Sequence, residues 1–274
     1  TLPRWRFFFS THSIYIRGII NHKSIKMKKI ILAVFLVSCA LSINAQEVFM
    51  FSPIIVADED IESFEMIQKK YVTEMAQDAV KNGTIKQWAL IKKVPGIGSP
   101  DDKINYMWVG VYKNISQLAN RDSWWMNTEE KFGIPSKVLY DSPQVERRGR
   151  YIYKTERQIQ TDKPGKYVIL NWATPNDLPK MIELQGSIEK IFRKSIIKSG
   201  MVGWGMATRI VPQKKGLPTA FWWDAYDTLE NAMKHLAGQA ASSGVTKDLI
   251  QSFNKIVPSG WDNRVIFEFV TGAN

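Results

Sequence analysis

One order of strand-like and helix-like segments runs twice through this chain, and that repetition restricts the fold more than any other feature. Gln87-Trp88-Ala89-Leu90-Ile91-Lys92-Lys93-Val94-Pro95 has a counterpart in Gly203-Trp204-Gly205-Met206-Ala207-Thr208-Arg209-Ile210-Val211-Pro212. Tyr106-Met107-Trp108-Val109-Gly110-Val111-Tyr112 has one in Ala220-Phe221-Trp222-Trp223-Asp224-Ala225-Tyr226. Trp88 and Trp204 set the period at 116 residues. Residue identity is weak, but the periodicities follow one another in the same order in both halves, which is how a repeat is recognised.

The first half opens on a strand-like run from Val48 to Val56, with Pro53 inside it suggesting an edge or a bulge. A helix is expected from Asp58, with Ile61, Phe64, Ile67, Tyr71, Met75 and Ala79 on one apolar stripe and Asn82-Gly83 as its stop. Strands over 85–94 and 104–112, a helix around 115–131 and a strand over 149–159 complete the half. The second half predicts a strand over Tyr167–Ala173, a helix over 177–199 stopped by Gly200, and strands over 202–211 and 219–226. Helical segments over 228–238 and 246–256 and a last strand over Arg264–Val270 follow. Each half reads β-α-β-β-α-β, the split βαβ or ferredoxin-like pattern. The fold class is therefore α+β. Residues 46–161 form the first unit and 162–274 the second, with Asp162-Lys163-Pro164-Gly165 as the hinge.

With this element order and internal repeat, the chain resembles the dimeric α/β-barrel superfamily over about residues 47–271. That group includes small monooxygenases of the antibiotic-biosynthesis type, haem-degrading relatives, chlorite-dismutase-like proteins and NIPSNAP-like proteins. The resemblance implies that two units in one chain supply the barrel that others build from two subunits. It is a likeness of fold, and no catalytic motif of the family is carried over.

The residues before the repeat read as an export signal. Met27-Lys28-Lys29 precede an apolar run from Ile30 to Leu36, and small residues lead to Ala45 and Gln46. Residues 27–45 thus have the basic end, short apolar segment and small-residue exit of a signal peptide, with cleavage expected after Ala45. Residues 1–26 precede the first methionine and are read as an upstream extension. Leu36-Val37-Ser38-Cys39 gives a less favoured alternative, a lipobox with a lipid anchor at Cys39. An exported, periplasmic or secreted product follows, with no later run long enough to span a membrane.

Removing the leader changes the charge argument. Of 37 Lys and Arg residues, seven precede Gln46, leaving 30 against 26 acidic residues, a net charge of +4. That is an ordinary surface and no footprint for nucleic acid. Cys39, the single cysteine, falls in the leader, so disulfides, a thiolate nucleophile and cysteine metal sites are excluded from the mature part. His235 is its one histidine, which excludes a two-histidine metal site and a Ser-His-Asp triad built on any other residue. No metal and no cofactor are expected.

Candidate site residues come from splitting the strands by face. Phe221, Trp223 and Ala225, like Met107, Val109 and Val111, form a plainly apolar set assigned to packing under the helices. Trp222, Asp224 and Tyr226, like Trp108, Gly110 and Tyr112, form an aromatic set with a carboxylate, assigned to the barrel interior. Trp88 and Trp204 join the inward set, with Asn171 as a hydrogen-bonding group, while Gly203 and Gly205 are read as making room for a helix. Asp224 and Tyr226 are the candidate catalytic pair. Trp88, Trp108, Tyr112, Asn171, Trp204, Trp222 and His235 are the candidate ligand contacts. Their bland alternative is packing between layers. Three functions stay open: binding a small apolar or aromatic molecule in the barrel, a cofactor-light monooxygenase-like oxidation, and partner binding through Trp124-Trp125-Met126.

Overall fold

Each strand expected from the repeat forms, and the two halves close on each other. The computed structural model describes residues 46–97, 103–141, 143–195, 199–239 and 244–274. The upstream extension, the signal peptide, its cleavage site and the lipobox at Cys39 lie outside the described residues. Gln46–Asn274 form one compact unit.

The first half contains β1 (Val48–Val56), α1 (Ile61–Ile67), α2 (Thr73–Lys81), β2 (Gln87–Lys93) and β3 (Tyr106–Tyr112). It continues with α3 (Ile115–Ala119), α4 (Thr128–Phe132), α5 (Ser136–Asp141), β4 (Val145–Arg147) and β5 (Tyr151–Gln160). The second contains β6 (Tyr167–Ala173), α6 (Leu178–Ser195), β7 (Met201–Val211), β8 (Ala220–Tyr226), α7 (Leu229–Leu236), α8 (Lys247–Ile256) and β9 (Asn263–Ala273). The helix expected over 115–131 is thus broken into short pieces, and the three-residue strand β4 was not anticipated.

Within the halves the strand orders are β5-β1-β3-β2 and β9-β6-β8-β7, and β2 pairs with β9 while β7 pairs with β5. Each half therefore hands its last strand to the second strand of the other. The result is a closed eight-stranded antiparallel barrel with β4 added against the end of β1. Closure removes the free edges that two separate sheets would expose. The duplication is visible even in the caps. Asn114 accepts the N–H of Gln117 at 2.8 Å to start α3, and Thr228 accepts that of Asn231 at 3.2 Å to start α7.

Pro53 lies at a bulge, as expected: residues 52–53 of β1 stand opposite 148–150, between the pairs Phe51–Tyr151 and Ile54–Arg147. It pairs with Met107 on one side and falls on the other where the partner of β1 changes from β5 to β4, so its missing N–H costs no ladder bond. The 162–165 connection is fastened to the second half. Thr161 donates to the carbonyl of Val202 and Lys166 to that of Tyr226.

The π-helical turn Gln68–Val72 joins α1 to α2 and places Glu65 and Gln68 over the sheet. Glu65 accepts from Lys69 at 2.7 Å, Lys92 at 3.0 Å and Tyr106 at 2.7 Å. Burial alone would raise its pKa, but the three hydrogen bonds outweigh burial and hold it at about 2. Because the folded value lies below the unfolded one, ionised Glu65 stabilises the fold above the ordinary carboxylate range, and that stability is lost as pH falls toward 2. Glu65→Gln should lower the urea midpoint at pH 6 and flatten its fall between pH 4.5 and about 2. Equal slopes for variant and parent would refute the assignment.

Candidate functional site

The barrel has two buried surfaces, and the aromatic residues divide between them in the reverse of the order expected from the strand faces. Phe51, Met107, Tyr153, Leu170, Phe221 and Phe267 fill the lumen, with Val109 and Trp223 beside them. Trp88, Trp108 and Tyr112 pack instead with Phe64, Ile67 and Met75 under the helices of the first half. Trp204, Trp222 and Tyr226 pack with Met181 and Ile188 under those of the second. The inward assignment of Trp88, Trp108, Tyr112, Asn171, Trp204, Trp222, Asp224 and Tyr226 is therefore corrected. An eight-stranded barrel encloses a space just wide enough for side chains or one small ligand, so it takes the more apolar set. A carboxylate is tolerated on the other face, where helix side chains and the rim offer partners. Gly203 and Gly205 also face the lumen. A Cβ on Gly205 would sit 2.0 Å from the Trp223 ring, so this glycine makes room for an indole and not for a helix.

Under α7 the second half gathers a polar cluster. Asp224 is buried on β8, and its Oδ2 accepts from Asn171 Nδ2 of β6 at 2.7 Å. The carbonyl of Asn171 accepts from Arg264 Nε of β9 at 2.6 Å. These two bonds fix which way the Asn171 amide points and connect a half-buried cation to a buried anion through it. His235 of α7 places Nε2 3.8 Å from Asp224 Oδ2, and its ring centroid lies 5.7 Å from that of Tyr226. His235 thus stands outside the lumen, against the helix-facing side of β8. Arg264 lies over Trp261, which meets Trp222 edge-on at 5.0 Å. Burial, with the negative charge of Asp224 beside it, raises the pKa of Tyr226, which keeps the phenol protonated and a donor. Burial lowers that of Arg264, while Asp224 and Tyr226 oppose the shift.

Among the described residues, two donors in this cluster have no partner: Trp222 Nε1 and Tyr226 Oη, both buried. The first half shows how such donors are satisfied when nothing else is required of them. There Trp108, the repeat counterpart of Trp222, donates Nε1 to Gln68 Oε1 at 3.0 Å. In the second half Gln185, at the matching place on α6, turns its amide to Met181 Sδ at 3.1 Å. Gly110 stands where the second half has Asp224, and the Tyr112 ring lies over it, 3.2 Å from where a Cβ would be. Arg121 occupies the counterpart position of His235. The first half has no carboxylate at this point and leaves Arg121 Nε without a partner, whereas the second carries the acid, the histidine and an open indole and phenol. Of the candidate residues, the structure brings together Asn171, Trp222, Asp224, Tyr226 and His235, with Trp204 in the same core. It leaves Trp88, Trp108 and Tyr112 in the other half. Arg264 was missed, although its place at the start of the last strand, opposite Asn171, follows from the repeat and the register.

Other candidates resolve simply. Trp124 packs edge-on to Trp88 in the core, which leaves only Met126 exposed in the expected sticky patch. Among the described residues, no group of three or more His, Cys, Asp or Glu side chains could hold a metal ion, and no helix is long and apolar enough to cross a membrane.

A proposed monooxygenase of Fusobacterium nucleatum superposes with a TM-score of 0.55, covering 84% of this chain and 95% of its own at 11% identity. The chain has the dimeric α/β-barrel fold. A proposed monooxygenase of Lactobacillus acidophilus agrees, with a TM-score of 0.50, 14% identity and coverage of 84% and 96%. At such identities the likeness is one of fold. No protein-family model matches the sequence, and no curated protein matches it.

Proposed function

We propose that the protein binds a small aromatic molecule carrying a phenol- or quinone-type oxygen between the second half-sheet and its helices. The observation that carries this reading is the pair of open donors, Trp222 Nε1 and Tyr226 Oη, on either side of the buried Asp224. Leaving a buried donor unpaired costs about 1–3 kcal/mol, a cost that ligand oxygens accepting these bonds would remove. Trp204, Trp222 and Phe253 supply the apolar walls such a ring needs.

The same arrangement favours a second, chemical reading, monooxygenase-like oxidation, in line with the names of the two structural neighbours. Asp224 would take the proton from a phenolic hydroxyl and leave an electron-rich ring, with Arg264 and Asn171 steadying the carboxylate. The route to the site is export, with the mature chain starting at Gln46. Sequencing the amino end of the protein recovered from cells tests that part separately.

A panel of phenols and quinones titrated against tryptophan emission tests the binding. Affinity should fall about tenfold in Tyr226→Phe, since one hydrogen bond of about 1.4 kcal/mol is lost. Asp224→Asn should stop oxygen consumption with any phenol that the parent oxidises. Unchanged affinity in Tyr226→Phe would remove the open-donor argument, and undiminished turnover in Asp224→Asn would remove the proton acceptor.

A further inference from the structure

The lumen holds a cavity of about 150 Å³, partly open to solvent, on the opposite side of the sheet from the polar cluster. Its floor is an aromatic plug. Phe221 meets Phe51 edge-on at 5.0 Å and Tyr153 at 4.6 Å. Above the plug the lining residues become small. Ala89 and Val109 are directly paired across β2 and β3, and Val111 and Val168 continue the wall. Trp223, the one very large side chain at this level, leans away, because Gly205 on β7 receives its ring. Phe49 meets Trp223 at 5.1 Å beside the cavity, and Gln87 is the single polar residue lining it.

We propose that this cup is a second binding site, for an uncharged single-ring aromatic or hydrocarbon of similar size. A water held inside needs two to four polar partners, and one glutamine does not supply them. Apolar cavities of about 150 Å³ stay dry and admit benzene or xenon. A charged molecule is excluded, since no charged side chain lines the space to offset its desolvation. The site shares no residue with the Asp224 cluster: Trp223 faces the lumen, while Trp222 and Asp224 face the helices. It stands whether or not that cluster binds a phenol.

The test uses the full chain with benzene and xenon as probes. Benzene should raise the melting temperature by an amount that grows with the logarithm of its concentration, and dissolved ¹²⁹Xe should show a shift that depends on protein concentration. Ala89→Leu and Val109→Phe, made separately so that one misfolded variant leaves the other, should fold and lose both responses because the added side-chain volume fills the space. Tyr226→Phe should keep both responses while binding the phenol about tenfold more weakly, which separates failure of this site from failure of the other. A parent with no benzene or xenon response would overturn the proposal, as would responses that survive in the filled variants.

Discussion

Gly205→Ala should destabilise the protein by about 3 kcal/mol, the upper end of what one added methyl costs in a packed interior. The new Cβ would fall 2.0 Å from one Trp223 ring atom and 2.2 Å from another. Neither side can yield cheaply. Gly205 lies on β7 between β5 and β8, with ladders on both edges, so the backbone is held. The indole is held by Phe49 at 5.1 Å and Phe221 at 5.5 Å. Trp223→Leu alone should also destabilise, by a few kcal/mol for the lost ring. In the double variant the two costs should fail to add, because the shorter side chain leaves space for the methyl. Chemical denaturation of the four proteins gives the coupling. Additive costs would mean that the ring does not lie over Gly205, and the assignment of β7 and β8 faces to the lumen would fall with it.

That assignment marks where the sequence stops being sufficient. The strand and helix order was legible because the apolar stripe from Ile61 to Ala79 and its echo from Leu178 to Phe192 repeat at helical spacing, and glycines stand at the stops. Barrel closure was what the resemblance to the dimeric α/β-barrel superfamily implied. The facing of the strands did not follow, because strands such as β8 are buried on both surfaces. On β8, Phe221, Trp222, Asp224 and Tyr226 are all buried, so alternation between polar and apolar positions has nothing to record. The aspartate was read as a sign of an open interior, whereas it marks the side where helices bring partners such as His235. A usable signal was present in Gly203 and Gly205. Two glycines two residues apart on one strand, opposite a tryptophan on the next, make room for a ring in a closed space. The cluster itself was half legible. Asn171, Asp224, Tyr226 and His235 stand out as polar or titratable residues among aromatics. The importance of Arg264 depends on β6 pairing with β9, a contact between residues 93 positions apart that composition cannot reveal.

Asn171→Leu should be the most damaging single change in the cluster, costing about 3 kcal/mol or more. The amide is the bridge between Asp224 at 2.7 Å and Arg264 at 2.6 Å, and both bonds involve a charged group. Each such bond is worth about 1.5–3 kcal/mol, and removing the bridge leaves a buried carboxylate without its donor. Asp224→Leu alone should cost less than Asn171→Leu, since it removes the charge along with the bond and leaves Asn171 still held by Arg264. Combining the two should recover part of the loss, because two apolar side chains in the place of a broken polar pair leave one fewer buried group unsatisfied. A cost for the double variant equal to the sum of the single costs would show that Asn171 and Asp224 stabilise the fold independently. In that case Asp224 would owe its orientation to His235 and the helix side of the cluster, and the Arg264–Asn171 arm would be structural only. The same four proteins, titrated with the phenol panel, separate stability from function. If the bridge positions the acid, Asn171→Leu weakens binding even under conditions where it is fully folded.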